Sequence, residues 1–124
     1  MRHYSHIQSA RQIIESYNGK EPFHRFIRAF FAQHKKFGSK DRKQISGLCY
    51  AYWRLGNALT LLSIDERILA GHFLCTTTAS DPVLEQLKPE WNAVLQLSIQ
   101  EKFQVITGKA TAWEEEKAQI FSWT

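Results

Sequence analysis

Apolar residues return every three or four positions along most of this chain, and that spacing belongs to helices packed on one another. Tyr4, Ile7, Ala10, Ile14 and Tyr17 make one stripe, and Phe23, Phe26, Ile27, Phe30 and Phe31 make a second, wider one. Ile45, Leu48, Cys49, Tyr52, Leu55, Leu59 and Leu62 give the longest. No stretch of useful length alternates polar with apolar residues as a half-buried strand does. The expected fold is therefore all-α, a bundle of about six or seven helices.

Turn and capping residues divide the pattern. Asn18-Gly19 suits a left-handed C-cap for the first helix, and Pro22 suits the first turn of the second. Phe37-Gly38 ends that helix. Ser39 is expected to N-cap a third, with Asp41 in its first turn. The third stripe carries this helix through Gly56, where the missing side chain implies another helix passing close by. Ser63-Ile64-Asp65-Glu66 reads as a capping box for a fourth helix ending near Leu74, and residues 76–80 as a loop. Asp81-Pro82 and Lys88-Pro89 each open a short helix. Ser98-Ile99-Gln100-Glu101 is a second capping box, before a helix bearing Phe103 and Ile106 and broken at Thr107-Gly108. Residues 1–108 thus read as the helical domain. Residues 109–124 read as a tail or linker, acidic at Glu114, Glu115 and Glu116 and apolar at Ile120, Phe121 and Trp123.

A chain of 124 residues is one domain, and a hydrophobic share of 44% argues against disorder. No apolar run approaches the roughly 18 residues that a membrane span needs, so no membrane association is expected. Met1 to His6 leads into no apolar signal core, and Cys49 and Cys75 both lie in apolar surroundings, as reduced core thiols do. The expected location is the cytoplasm.

Enzyme signatures are missing. There is no glycine-rich phosphate loop, no nucleotide-binding fingerprint and no nucleophile elbow. Cys49, between Leu48 and Tyr50 on a core stripe, reads as packing, because a reactive thiolate wants a polar, electropositive setting. His72 and Cys75, three apart, could face one ion. Two donors do not complete a tetrahedral site, and no second pair has suitable spacing. His3 and His6 fall on a terminus where histidine is usually solvated. No catalytic, cofactor-binding or metal-ligating residue is expected in this chain.

Charge is the more informative quantity. Residues 1–62 hold eleven Lys/Arg and three Asp/Glu, whereas residues 63–124 hold five and nine. A half this basic suggests a polyanionic partner, most simply nucleic acid. Its sharpest feature is the corner from Lys35 to Lys43, where Lys35, Lys36, Lys40, Arg42 and Lys43 surround a turn and the start of the next helix. Full charges and the unsatisfied N–H groups of a helix N-terminus then point at one place, which suits phosphate. Arg25 and Arg28 extend the basic surface along the preceding helix, and Arg54 lies farther down the next one. These eight residues are the candidate RNA contacts. The bland alternative is a solvated corner with lysine stems packed on Phe37.

These residues also carry a resemblance. Gly38-Ser39-Lys40-Asp41-Arg42, followed by Ile45, Leu48, Tyr50 and Arg54-Leu55-Gly56, resembles the N-terminal region of ribosomal RNA cytosine-C5 methyltransferases. Pro22-Phe23, the Phe-rich helix and Ser63 to Leu74 are similar as well, so the likeness covers about residues 4 to 75, with weaker support at Pro89-Glu90-Trp91. The resemblance implies a NusB-like helical bundle, a fold shared with a transcription antitermination factor that binds RNA. It further implies a following catalytic domain using S-adenosylmethionine, to which Ile120-Phe121-Ser122-Trp123 looks like the approach. Neither cysteine matches the family's catalytic motif. The expected role is an accessory domain that positions ribosomal RNA for a methyl transfer performed elsewhere. Two rival readings are a stand-alone antitermination-type RNA-binding protein and a protein-interaction bundle whose basic face meets an acidic partner. The first segment, Arg2-His3-Tyr4-Ser5, lacks the arginine-rich character of the antitermination factor.

Overall fold

The computed structural model describes residues 2–120, and every regular element among them is helical. In chain order these are α1 (Arg2–Ser16), α2 (Phe23–Gln33), α3 (Ser39–Arg54), α4 (Ile64–Cys75), α5 (Pro82–Leu87), α6 (Pro89–Asn92), α7 (Ile99–Thr107) and α8 (Ala112–Glu116), with a 3-10 turn over Lys117–Gln119. That is one helix beyond the expected six or seven. The extra one is α8, in the stretch expected to be a tail or linker. Ala112 is buried in the core, Trp113 meets Phe103 edge-on at 5.4 Å, and the Asn57 amide donates to the Gln119 carbonyl at 3.1 Å. Phe121 and Trp123, the other apolar residues of that stretch, lie outside the described residues. No helix among the described residues is long and apolar enough to cross a membrane.

Helices α1, α3 and α4 form the centre. Ile7, Ala10 and Ile13 of α1, Ile45, Leu48 and Cys49 of α3, and Ile68, Ala70 and Phe73 of α4 are all within about a hundredth of full burial. The stripes read from the sequence do share one core: Phe30, Leu55 and Leu59 are buried in it, and Phe23, Phe26 and Tyr52 pack partly buried against it. α2 lies along α3 through aromatic contacts. Phe23 meets Tyr50 and Trp53 near the end of α3, while Phe31 faces Arg42 near its start. Trp91 stacks on Phe73 at 5.0 Å and seats α6, and Phe103 anchors α7.

Four expectations about α3 and its neighbours need correction. α3 does not run to Leu62: it ends at Arg54, and residues 55–62 form consecutive turns. Gly56 does not lie inside the helix. Its φ of +58° places it in the left-handed region that glycine enters without steric cost, and it ends the helix. The hydrophobic spacing continued past the break because Leu55, Ala58 and Leu59 still turn inward from the turns. The N-cap of α3 is Gly38, with no side-chain cap, and Ser39 is the first helical residue. Similarly, Pro22 is the N-cap of α2 and lies just outside its first turn.

Of the two capping boxes, one is complete. Ser98 and Glu101 exchange both hydrogen bonds. At Ser63 the hydroxyl accepts from the Glu66 amide at 3.2 Å, but the Glu66 carboxylate is turned to Lys88 Nζ at 3.0 Å, tying α4 to the start of α6. Asp81 caps α5 and also accepts from His72 Nε2 at 2.8 Å. Burial at this site works to raise the Asp81 pKa. The His72 contact and the Val83 and Leu84 amides outweigh it, leaving the carboxyl below its ordinary value.

The glycine at which helices truly touch is Gly71 of α4. A Cβ built there would lie 2.5 Å from the Ala51 carbonyl oxygen and 2.8 Å from its carbon, both backbone atoms that cannot swing away. Gly71→Ala should therefore destabilise the protein by about 3 kcal/mol, through forced separation of α3 and α4. Gly47, also on α3, has nothing within 4 Å of such a Cβ. Gly47→Ala should instead stabilise by roughly 0.5–1 kcal/mol, from the helix preference of alanine. Urea midpoints of the two variants beside the parent check both signs.

Candidate nucleic-acid interface

The basic corner is built by a short turn between two aromatic-rich helices. α2 ends at Gln33, earlier than Phe37-Gly38 suggested, and the His34 amide closes it on the Phe30 carbonyl at 3.0 Å. The His34 ring stacks on Phe30, and Phe37 folds back onto Phe31 at 5.7 Å between ring centres. Lys35 and Lys36 are thereby carried outward on the turn, and Lys40 and Lys43 on the first turns of α3; all four are exposed. With no side chain capping α3, the amides of Ser39, Lys40 and Asp41 head its positive dipole end.

The eight candidates separate into three groups. Lys35, Lys36, Lys40 and Lys43 form the corner itself, and none of the ion pairs among the described residues takes them up. Lys36 Nζ sits 5.2 Å from the Phe37 ring centre, the packed-stem arrangement that a solvated corner also allows. Arg25 and Arg28 are exposed on the outer side of α2, upstream of the corner. Arg42 and Arg54 have structural contacts. Arg42 Nε donates to the Phe37 carbonyl at 3.0 Å, and its guanidinium lies 5.7 Å from the Phe31 ring centre, so it clamps the turn. Arg54 reaches across to Cys75 on α4.

Asp41 is the one acid in the corner. Its carboxylate accepts from His6 Nε2 of α1 at 2.9 Å, where His6 is buried. His6 is thus a packed residue that joins the starts of α1 and α3, contrary to the expectation of a solvated terminus.

The thiols behave as core groups. Burial pushes the Cys49 pKa up to about 12. Burial also raises that of Cys75, although the Arg54 guanidinium and the Lys102 ammonium pull the other way. Among the described residues no cluster of three or more His, Cys, Asp or Glu side chains could hold a metal ion.

All five cations of the second half are engaged within the fold, so it offers no comparable surface. Lys102 is buried, and its ammonium donates to the Phe73 and Thr76 carbonyls at 3.0 and 2.7 Å, closing the C-terminus of α4. Desolvation holds its pKa below the ordinary value. Its position was readable: Lys102 falls three after Ile99 and four before Ile106, on the apolar side of α7. Arg67 donates to the Gly56 and Ala58 carbonyls and to the Tyr52 hydroxyl, which shapes the turns after α3. Lys88, Lys109 and Lys117 are paired with Glu66, Glu115 and Glu114.

The division between clamp and corner is measurable. Arg42→Ala should cost about 1.5 kcal/mol, the scale of removing one hydrogen bond from a charged donor. Lys40→Gln and Lys43→Gln should each stay within about 0.5 kcal/mol, as exposed charges do. Thermal melts of the three variants test this; equal destabilisation at all three positions would place the lysines in the fold.

No family model, no curated protein and no solved structure matches the chain.

Proposed function

We propose that this chain is an RNA-binding helical bundle of the NusB-like type, which serves a ribosomal RNA cytosine-C5 methyltransferase as its RNA-positioning domain. The observation that carries the binding half of this reading is the sorting of cations. Lys35, Lys36, Lys40 and Lys43 converge at an uncapped helix N-terminus without an acid paired to any of them among the described residues. The acid-rich half has its lysines neutralised or buried. Such a corner holds phosphates by charge and backbone amides, giving affinity without reading bases. The methyltransferase half rests on the sequence resemblance from Gly38 to Gly56. On that reading S-adenosylmethionine and the transferring cysteine belong to a further domain, ribosomal RNA and that domain are the partners, and the setting is the cytoplasm.

A stand-alone RNA-binding protein would use the same corner. A protein-interaction bundle would direct it at an acidic protein instead.

RNA affinity should fall steeply with salt. Replacing Lys36, Lys40 and Lys43 together with Gln should make the logarithmic salt slope shallower by roughly 0.7–0.9 for every phosphate the variant no longer neutralises. Unrelated RNA sequences should weaken about equally. Neutralising the exposed Glu85 and Glu90 to Gln, away from the corner and outside the ion pairs of the described residues, should leave the slope as it was. A salt titration of RNA binding for both variants and the parent is the measurement. An unchanged slope in the folded lysine variant, with retained binding to an acidic protein, would favour the protein-interaction reading.

A further inference from the structure

The exposed side of α3 does not end at the corner. Lys40, Lys43, Gly47, Tyr50 and Arg54 follow one another at three- and four-residue steps, so they share a single stripe, and all five are exposed. Within this basic stripe stands one large aromatic ring. Tyr50 is 43% exposed, among the few large hydrophobic side chains the fold leaves open. The ring is not loose. Phe23 meets it at 5.4 Å and 89°, and Phe23 is itself held by Trp53 at 5.6 Å and by Tyr17 at 5.1 Å. Next to it, Gly47 leaves an open step in the helix surface, with nothing within 4 Å of where a side chain would begin.

A fixed aromatic ring on a basic stripe, beside a gap with no side chain, is suited to a flat π-system arriving with a phosphate attached. We infer that Tyr50 is a stacking platform for an unpaired RNA base, with Lys43 and Lys40 holding the backbone on the corner side. The inference rests on the RNA-binding reading and narrows it to a strand with exposed base faces. In a duplex each base face is covered by its neighbours, and the wide, shallow minor groove of A-form RNA offers only edges, riboses and phosphates. A protruding ring has nothing to stack on there. In a single strand or an open loop every base has a free face, and stacking on an aromatic side chain tolerates any base. Lys43 precedes Tyr50 by two helical turns, about 10 Å along the axis, within a lysine's reach of a backbone running beside the stacked base. Because Phe23 holds one side of Tyr50 beforehand, less rotamer freedom is given up on binding.

Labelled oligouridine, an RNA duplex of the same length and a sugar–phosphate strand lacking bases are the probes, read by fluorescence anisotropy at fixed salt. Tyr50→Ala should weaken oligouridine binding roughly tenfold, the scale of one base–aromatic stack, with an unchanged salt slope. The duplex and the baseless strand should bind the variant as they bind the parent. Tyr50→Phe should keep parental behaviour with all three probes, since the hydroxyl has no part in stacking. Thermal melting confirms that both variants fold, as expected for an exposed position. Equal weakening of all three probes by Tyr50→Ala, or no weakening of any, overturns the platform while leaving phosphate binding intact. Failure of the parent to bind any probe in a salt-dependent way overturns the RNA reading itself, and this inference with it.

Discussion

The close approach of α4 to the backbone of α3 at Gly71 and Ala51 sets the spacing on which the rest of the bundle depends. Two helices whose backbones touch leave room on either side for large side chains, and the core is filled accordingly. Ile45 and Leu48 lie on one element of this contact, Ile68 and Phe73 on the other, and α1 packs its Ile7, Ala10 and Ile13 against both. A β-carbon at Gly71 would push α4 outward and loosen contacts far from the glycine itself, because densely packed interiors transmit displacement without absorbing it. The same contact fixes the direction of α3, and hence where its basic stripe faces.

Several polar groups with structural work are turned towards backbone carbonyls or capping amides. Lys102 closes the end of α4, Arg67 holds the turns after α3, Asp81 and Ser98 cap the starts of α5 and α7, and Arg42 secures the turn before α3. The basic excess of the first half is left over from this arrangement. Charge sorting of this kind makes a surface with a long-range field at little cost in stability, because exposed lysines contribute little to folding in either direction.

Much of the fold was legible because helix periodicity and capping chemistry are local. The stripe from Ile7 to Ile14 (though not Tyr4, which is exposed), the Phe-rich α2, the complete box at Ser98 and the Asp81 cap all follow from residues within a few positions of one another. What failed was where a distant partner decides. The stripe past Arg54 kept helical spacing, yet Arg67 and Gly56 together bend it into turns. Glu66 abandons its own cap for Lys88, which lies on another element. α8 was missed because five residues carry too little periodicity to register, and Ala112 is buried only by the elements around it. The corner was legible as a cluster of charge. The inward turn of Arg42 was not, since it depends on Phe31 and Phe37 folding around it. The role of Tyr50 was half visible: it stood in the motif, but its exposure beside Gly47 needed the structure.

The turns after α3 contain the bundle's one non-glycine residue with positive φ among those described, Leu59 at +57°. A leucine in that conformation is strained by about 1–2 kcal/mol and needs outside support. Its amide donates to the Glu116 carboxylate at 2.7 Å, 57 residues later in the chain, and its side chain is buried. On a ribosome adding roughly 5–20 residues per second, that support arrives about 3 to 11 s after the turn is made. During this interval the elements up to α4 are made, but the turn at Leu59 still lacks the carboxylate that its amide donates to in the finished fold. This turn is thus complete only once the acidic stretch has been made, which sets the half-buried Glu116 apart from its exposed neighbours Glu114 and Glu115.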